Sequence, residues 1–178
     1  MATDRPAMQV ELRPHGRRGV NLAARVGRLN AALISCDQLR GRGTFEIEGQ
    51  TFELRTSGLT RGDFSLTRSG ETVAGASRSD VRPNHYKIEL AREDDEALVW
   101  SLRRKLFART FELVCGDRPI GKVWRKVGRR GSLLLRVPEQ TSLPNAIFVG
   151  FVASALYDRN KAFRLLFGSV LGEAASLQ

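Results

Sequence analysis

Residues 143–157 form the most demanding stretch of this chain. From Ala146 to Tyr157 only Ser154 interrupts a run of apolar and small residues. A helix of that composition is apolar on every side and must be buried in protein or lipid. At 1.5 Å per residue it reaches about 22 Å, short of the roughly 30 Å hydrocarbon core of a bilayer. Burial inside the protein is therefore expected, with no transmembrane span. Ser142 is placed to cap the helix, and Pro144 suits its first turn, where a missing N–H costs nothing. Asp158-Arg-Asn-Lys161 stops the run. Ala146, Gly150 and Ser154 recur every fourth residue and give the helix one slim side. Ile147, Phe148, Phe151, Val152 and Leu156 must then be enclosed by the chain's own strands.

Those strands are legible from Gly43 onward. Phe45 and Ile47 alternate with polar residues, Gly49-Gln50 turns the chain, and Phe52 and Leu54 alternate again, as in a hairpin. Tyr86, Ile88 and Leu90 form another alternating strand. Residues 97–106 continue the pattern, with Val99 facing one way and Trp100 the other. Residues 64–90 and 111–137 align at a constant offset of 47 (64 to 111). Phe64 meets Phe111, Leu66 meets Leu113, Val73 meets Ile120, Tyr86 meets Leu133, Ile88 meets Leu135 and Leu90 meets Val137. The expectation is a mainly β protein: a closed antiparallel barrel of two similar strand repeats around a central hydrophobic C-terminal helix.

The first 41 residues read differently. Residues 1–19 are polar. Asn21 can cap a helix on which Leu22, Val26, Leu29, Leu33 and Cys36 share one face, ending near Gly41-Arg-Gly43. The spacing predicts an N-terminal amphipathic helix that packs on the body of the domain, lies on a membrane, or binds a partner protein. The division is then 1–41 for the polar segment and this helix. Residues 42–178 form the barrel, with the buried helix at about 143–158 and a cover from 162–171.

The net charge is +10 over 178 residues, and its position says more than its size. Residues 97–136 hold eleven Lys and Arg against two acids, net +9, while residues 1–96 are net +1 and 137–178 neutral. A positive field concentrated this way attracts phosphates, whether of lipid headgroups or of nucleic acid. The start of the chain lacks the apolar core of a signal peptide, and two distant cysteines, Cys36 and Cys115, suit a reducing compartment. A cytoplasmic protein, peripheral at a membrane, is expected.

No chemical motif survives inspection. Gly116-Asp-Arg-Pro-Ile-Gly121-Lys122-Val123 has the spacing of a phosphate loop. However, Val123 stands where a hydroxyl must hold Mg²⁺, Pro119 removes a cradle N–H, and a strand follows where a helix is needed. It reads as a hairpin turn. Glu93-Asp-Asp-Glu96 reads as a solvated connector, since adjacent carboxylates cannot converge on one ion. His85 has no nameable acid–base partner, and no nucleophile elbow or zinc motif occurs. No metal, cofactor or catalytic residue is therefore expected. What remains is a basic cluster: Arg103, Lys105, Lys122, Lys126, Arg129 and Arg130, as candidate phosphate ligands. On regular strands Arg103 and Lys105 share a face, and Lys122 and Lys126 share another, with Arg125 opposite. Trp124 beside them reads as core or rim.

The paired units Phe64-Ser-Leu66…Gly70-Glu-Thr-Val73 and Phe111-Glu-Leu113…Asp117-Arg-Pro-Ile120, followed by Pro144-Asn-Ala-Ile-Phe-Val-Gly-Phe-Val-Ala-Ser-Ala-Leu-Tyr157, carry a family resemblance. From about Gly43 to Asp158 the chain resembles the tubby C-terminal-like fold, in its LURP-one-related and phospholipid-scramblase-like branch. The resemblance implies a 12-stranded barrel around a central helix, and members linked to membrane phosphoinositide binding or lipid scrambling. The leading functional expectation is a non-enzymatic domain that binds anionic phospholipid headgroups at a membrane surface. The alternatives are a nucleic-acid-binding protein and a scaffold or regulatory interaction domain.

Overall fold

The computed structural model describes residues 6–15, 21–37, 42–57, 62–78, 85–91, 98–104, 110–126 and 132–157. They form twelve strands and one helix. The strands are β1 (Ala7–His15), β2 (Asn21–Val26), β3 (Leu29–Asp37), β4 (Arg42–Ile47), β5 (Gln50–Ser57) and β6 (Asp63–Arg68). They continue as β7 (Glu71–Arg78), β8 (His85–Leu90), β9 (Leu98–Arg104), β10 (Thr110–Cys115), β11 (Arg118–Arg125) and β12 (Leu133–Pro138). The helix, α1, spans 143–157. Every strand pairs antiparallel with its neighbours in sequence, and β1 pairs with both β2 and β12, which closes the barrel.

Alternation decides which face of each strand turns inward. Phe52 and Leu54 are buried while Glu53 and Arg55 point out; Tyr86, Ile88 and Leu90 are buried while Lys87 and Glu89 are exposed. The outer wall is laced by ion pairs between residues two apart on one strand: Arg13 to Glu11 at 2.9 Å, Arg55 to Glu53 at 2.8 Å, and Lys87 to Glu89. A wall that is charged outside and apolar inside is the reverse of a membrane-spanning barrel.

α1 fills the interior. Ile147, Phe148, Val149, Val152 and Ala153 are fully buried, and Leu156 nearly so, in one cluster with the inward residues of the strands. Phe151 meets Phe64 of β6 edge-on at 6.2 Å, and Tyr157 meets Phe111 of β10 at 4.9 Å. Each large side chain taken from water contributes roughly 1.5–3 kcal/mol, which is why so apolar a helix is stable only inside the cylinder. Ser142 caps it: the Asn145 N–H donates to its Oγ at 3.4 Å and the Ala146 N–H to its carbonyl at 3.0 Å. Gly150 forms the slim side. A Cβ there would lie 2.5 Å from Leu12 Cδ1 and 3.1 Å from Leu135 Cδ2, so α1 runs hard against β1 and β12.

The N-terminal helix expected over 21–41 is not formed. Residues 21–37 of that stretch build β2 and β3, joined at Gly27-Arg28, where Gly27 takes φ 61°, and 38–41 lie outside the described residues. The supposed buried face is partly outside: Leu29 and Leu33 are 76% and 52% exposed, whereas Ala24, Ala32 and Ile34 face the core. Three- and four-residue spacing among the larger residues concealed a two-residue period carried by alanines. β1 was concealed likewise, because Val10 and Leu12 alternate with Glu11 and Arg13 in a polar stretch. A boundary after residue 41 would fall between the paired strands β3 and β4. Docking of a partner through an N-terminal helix falls with that helix. Inside the barrel, β7 buries Ala74 and Ala76 and leaves Val73 half-buried, and β11 buries Val123 and leaves Ile120 half-buried. The connector 93–96 and the cover 162–171 lie outside the described residues.

Candidate anion-binding end of the barrel

The two ends of the cylinder differ in how the chain crosses them. At one end, the base, two-residue turns join β2 to β3, β4 to β5, β6 to β7 and β10 to β11, a seven-residue stretch joins β8 to β9, and residues 139–142 lead from β12 into α1. At the other, the rim, six stretches of four to seven residues join β1 to β2, β3 to β4, β5 to β6, β7 to β8, β9 to β10 and β11 to β12. Longer connections on a rigid scaffold are where binding residues concentrate. α1 follows β12 from the base and reaches the rim, where Tyr157 lies under the Arg125 guanidinium at 5.9 Å.

Charge is divided the same way. In the three strand residues nearest the rim the described side chains include Arg13, Arg42, Arg55, Arg78, Lys87 and Arg125, against Asp63 and Glu112, while Arg103 reaches back to the turn at the base. Lys126 follows directly. Nearest the base, Arg25, Arg68, Arg118 and Arg136 face Glu46, Glu71 and Glu89, and the connections add Arg28 against Glu48, Asp117 and Glu139; the stretch 92–97, outside the described residues, holds Arg92 and four acids in sequence. The stretches 16–20, 38–41, 58–61, 79–84, 105–109 and 127–131, outside the described residues, hold nine Lys and Arg and one Asp in sequence.

Part of this charge is compensated along the wall. A hydrogen bond from Arg55 holds the Glu53 carboxyl below its ordinary range, with Arg42 adding to the effect. Arg42, Arg78 and Lys126 make no ion pair with another described residue. Arg42 and Arg55 stand directly opposite each other on β4 and β5, with the Glu53 carboxylate paired to Arg55.

Of the six basic residues singled out by sequence, Arg103 and Lys122 flank Glu112 on the strands either side of it. The Arg103 guanidinium donates to the Gly116 carbonyl at 3.1 Å and sits 3.8 Å from Asp117, so it straps β9 to the β10–β11 turn. Lys122 is exposed on the outer wall, 4.9 Å over the half-buried Trp124 ring. Lys126 is exposed at the rim, and its backbone N–H donates to the Ser132 carbonyl at 2.8 Å. Lys105, Arg129 and Arg130 lie outside the described residues.

Sequence reasoning passed over Arg78, and it noted Arg125 only as facing away from Lys122 and Lys126, outside the candidate ligands. Arg125 continues the inward parity of buried Val123, and Arg78 that of Ala74 and Ala76. The signal was present: each is an arginine two residues beyond the last buried residue of its strand. Cys36 occupies the same kind of position on β3. Burial pushes its thiol up to about 11, which keeps it protonated and weakly nucleophilic at neutral pH. The Cys36 N–H donates to Asn21 Oδ1 at 3.3 Å. Among the described residues no three His, Cys, Asp or Glu side chains gather where a metal could bind, and no helix is long and apolar enough to cross a membrane.

Comparison with protein-family models, with curated proteins and with solved structures finds no match to this chain.

Proposed function

We propose that this protein is a non-enzymatic binding domain that receives anionic phospholipid headgroups at a membrane surface through the rim of its barrel. The observation that carries the reading is the excess of cationic over acidic side chains at the rim, opposite a base where acidic residues outnumber basic ones. A surface lined by one sign of charge raises the local concentration of the opposite sign, and anionic leaflets attract such segments by about 1 kcal/mol per Lys or Arg.

The resemblance to the tubby-like and scramblase-like fold supports the same reading. Twelve strands closed around an apolar helix are the architecture that resemblance implied. An internal duplication belongs to the proposal: β7 and β11 begin and end 47 residues apart (71 to 118, 78 to 125), and register shifts fall at Leu66/Thr67 and Leu113/Val114, again 47 apart (66 to 113). Peripheral attachment to a membrane from the cytoplasm would follow.

Sedimentation with vesicles tests it. The protein should pellet with phosphatidylcholine vesicles containing phosphatidylserine at low salt, stay in solution with pure phosphatidylcholine, and be released as ionic strength rises. Equal partition onto neutral and anionic vesicles would end the proposal. Absorbance at 260 nm co-purifying with the protein would direct the same charges to nucleic acid instead.

A further inference from the structure

Three hairpins of the barrel carry a register irregularity: at Ala24/Arg25 in β2–β3, Leu66/Thr67 in β6–β7 and Leu113/Val114 in β10–β11. They lie 42 residues apart (24 to 66) and then 47 apart (66 to 113). The same two offsets carry Asn21–Val26 onto Asp63–Arg68 and then onto Thr110–Cys115. They also carry the turn Gly27-Arg28 onto Ser69-Gly70 and Gly116-Asp117. Around the closed ring these hairpins stand four strands apart, which is threefold spacing. The ring therefore divides into β2–β5, β6–β9, and β10–β12 completed by β1.

At the rim this repetition aligns three positions. The offsets carry Cys36 onto Arg78 and Arg78 onto Arg125, each two residues beyond a buried position: Ile34, Ala76 and Val123. Tyr157 of α1 lies among these strands, against Phe111 of β10. Arg125 lies over the Tyr157 ring at 5.9 Å. Arg78 is a second arginine at an equivalent place, exposed and without an ion pair to another described residue.

We infer that Arg78 and Arg125, at equivalent positions of a pseudo-threefold rim, form the subsite that binds the phosphate group of the ligand. The inference rests on the lipid reading above and names the residues that would carry it. Arginine suits the task because its planar fork meets phosphate oxygens two at a time. The two positions stand a third of the ring apart on inward parity, so a phosphate held over the middle of the rim would be met from two sides. The outer-wall cations supply long-range attraction, and the rim pair supplies contact.

The test compares two double variants of equal charge loss at the same end of the barrel. Arg78→Gln with Arg125→Gln removes the rim pair; Arg42→Gln with Lys87→Gln removes two outer-wall cations. Binding is measured to phosphatidylcholine vesicles containing phosphatidic acid, with glycerol 3-phosphate as a soluble probe. The rim variant should lose about tenfold or more in affinity, the scale of a lost charge-assisted hydrogen bond, and the wall variant about threefold or less. Equal losses in the two variants overturn the subsite. A wild-type protein that ignores the vesicles but binds glycerol 3-phosphate through Arg78 and Arg125 overturns the lipid reading and keeps the subsite. Binding to neither probe overturns both. Thermal melts monitor folding. Should the double rim variant melt early, Arg78→Gln alone carries the test, with an expected loss of about threefold.

Discussion

Gly121 and Gly150 are the positions where a single methyl group meets the most resistance. A Cβ on Gly121 would run into the backbone carbonyl of Arg136 on β12, which cannot rotate away as a side chain can. A Cβ on Gly150 meets only the ends of Leu12 and Leu135. Gly121→Ala should therefore cost about 2–3 kcal/mol or more and Gly150→Ala about 1–2, because overpacking is relieved only where neighbours can move. Chemical denaturation of the two variants measures the order; a cheaper Gly121→Ala would contradict the close strand approach. Cys36 gives a pH signature. Its thiol is raised from 9.0 to about 11 in the folded state, so the folded protein holds that proton more tightly than the unfolded chain. The stabilisation is complete below pH 9 and is lost as pH rises through about 11. Melting temperatures of wild type and Cys36→Ala, compared from pH 8 upward, should converge in that window. A constant difference would remove the buried thiol as the cause.

At the scale of elements, the hairpin β2–β3 separates what was legible from what was not. The later strands announced themselves because large apolar residues alternate with charged ones, as at Phe52-Glu-Leu54 and Tyr86-Lys-Ile88. In β2 and β3 the inward positions include Ala24 and Ala32, while Leu29 and Leu33 sit outside. Alanine is a strong helix former and a weak strand former, so local preference and the spacing of the leucines both pointed to a helix. The closed ring overrode them. Neighbouring residues now make opposite predictions for the two structures. Leu33→Asn should change stability by no more than about 0.5 kcal/mol, and Ile34→Asn should cost about 3 kcal/mol or more, since it buries an unpaired amide. In an amphipathic helix buried along Leu29, Leu33 and Cys36, Leu33 would be the costly one. The candidate site was harder to read than the strands. Basic residues are visible in any sequence, but their grouping depends on which strand ends meet. That is why Arg103, tied to Gly116, looked available, and Arg78 and Arg125, far apart in sequence, did not look related.

For the whole molecule, closure is the property on which the rest depends, and β1 provides it. Both of its edges are paired, with β12 through Ala7↔Pro138 to Leu12↔Leu133 and with β2 through Val10↔Val26 to His15↔Asn21. Val10 and Leu12 point into the core, and Leu12 touches the slim side of α1. Removing this strand leaves two unpaired sheet edges and opens one side of the cylinder to a helix that water does not tolerate. Deletion of residues 1–41 would take β1, β2 and β3, a quarter of the ring. A chain divided after residue 41 into an appendage and an independent barrel would survive that deletion; this one should not. The shortened protein is expected to aggregate or to bind hydrophobic dyes without a cooperative melt. A soluble variant lacking residues 1–41 with a sharp unfolding transition would show that the remaining strands close without β1, and the threefold rim proposed above would then lose its third side.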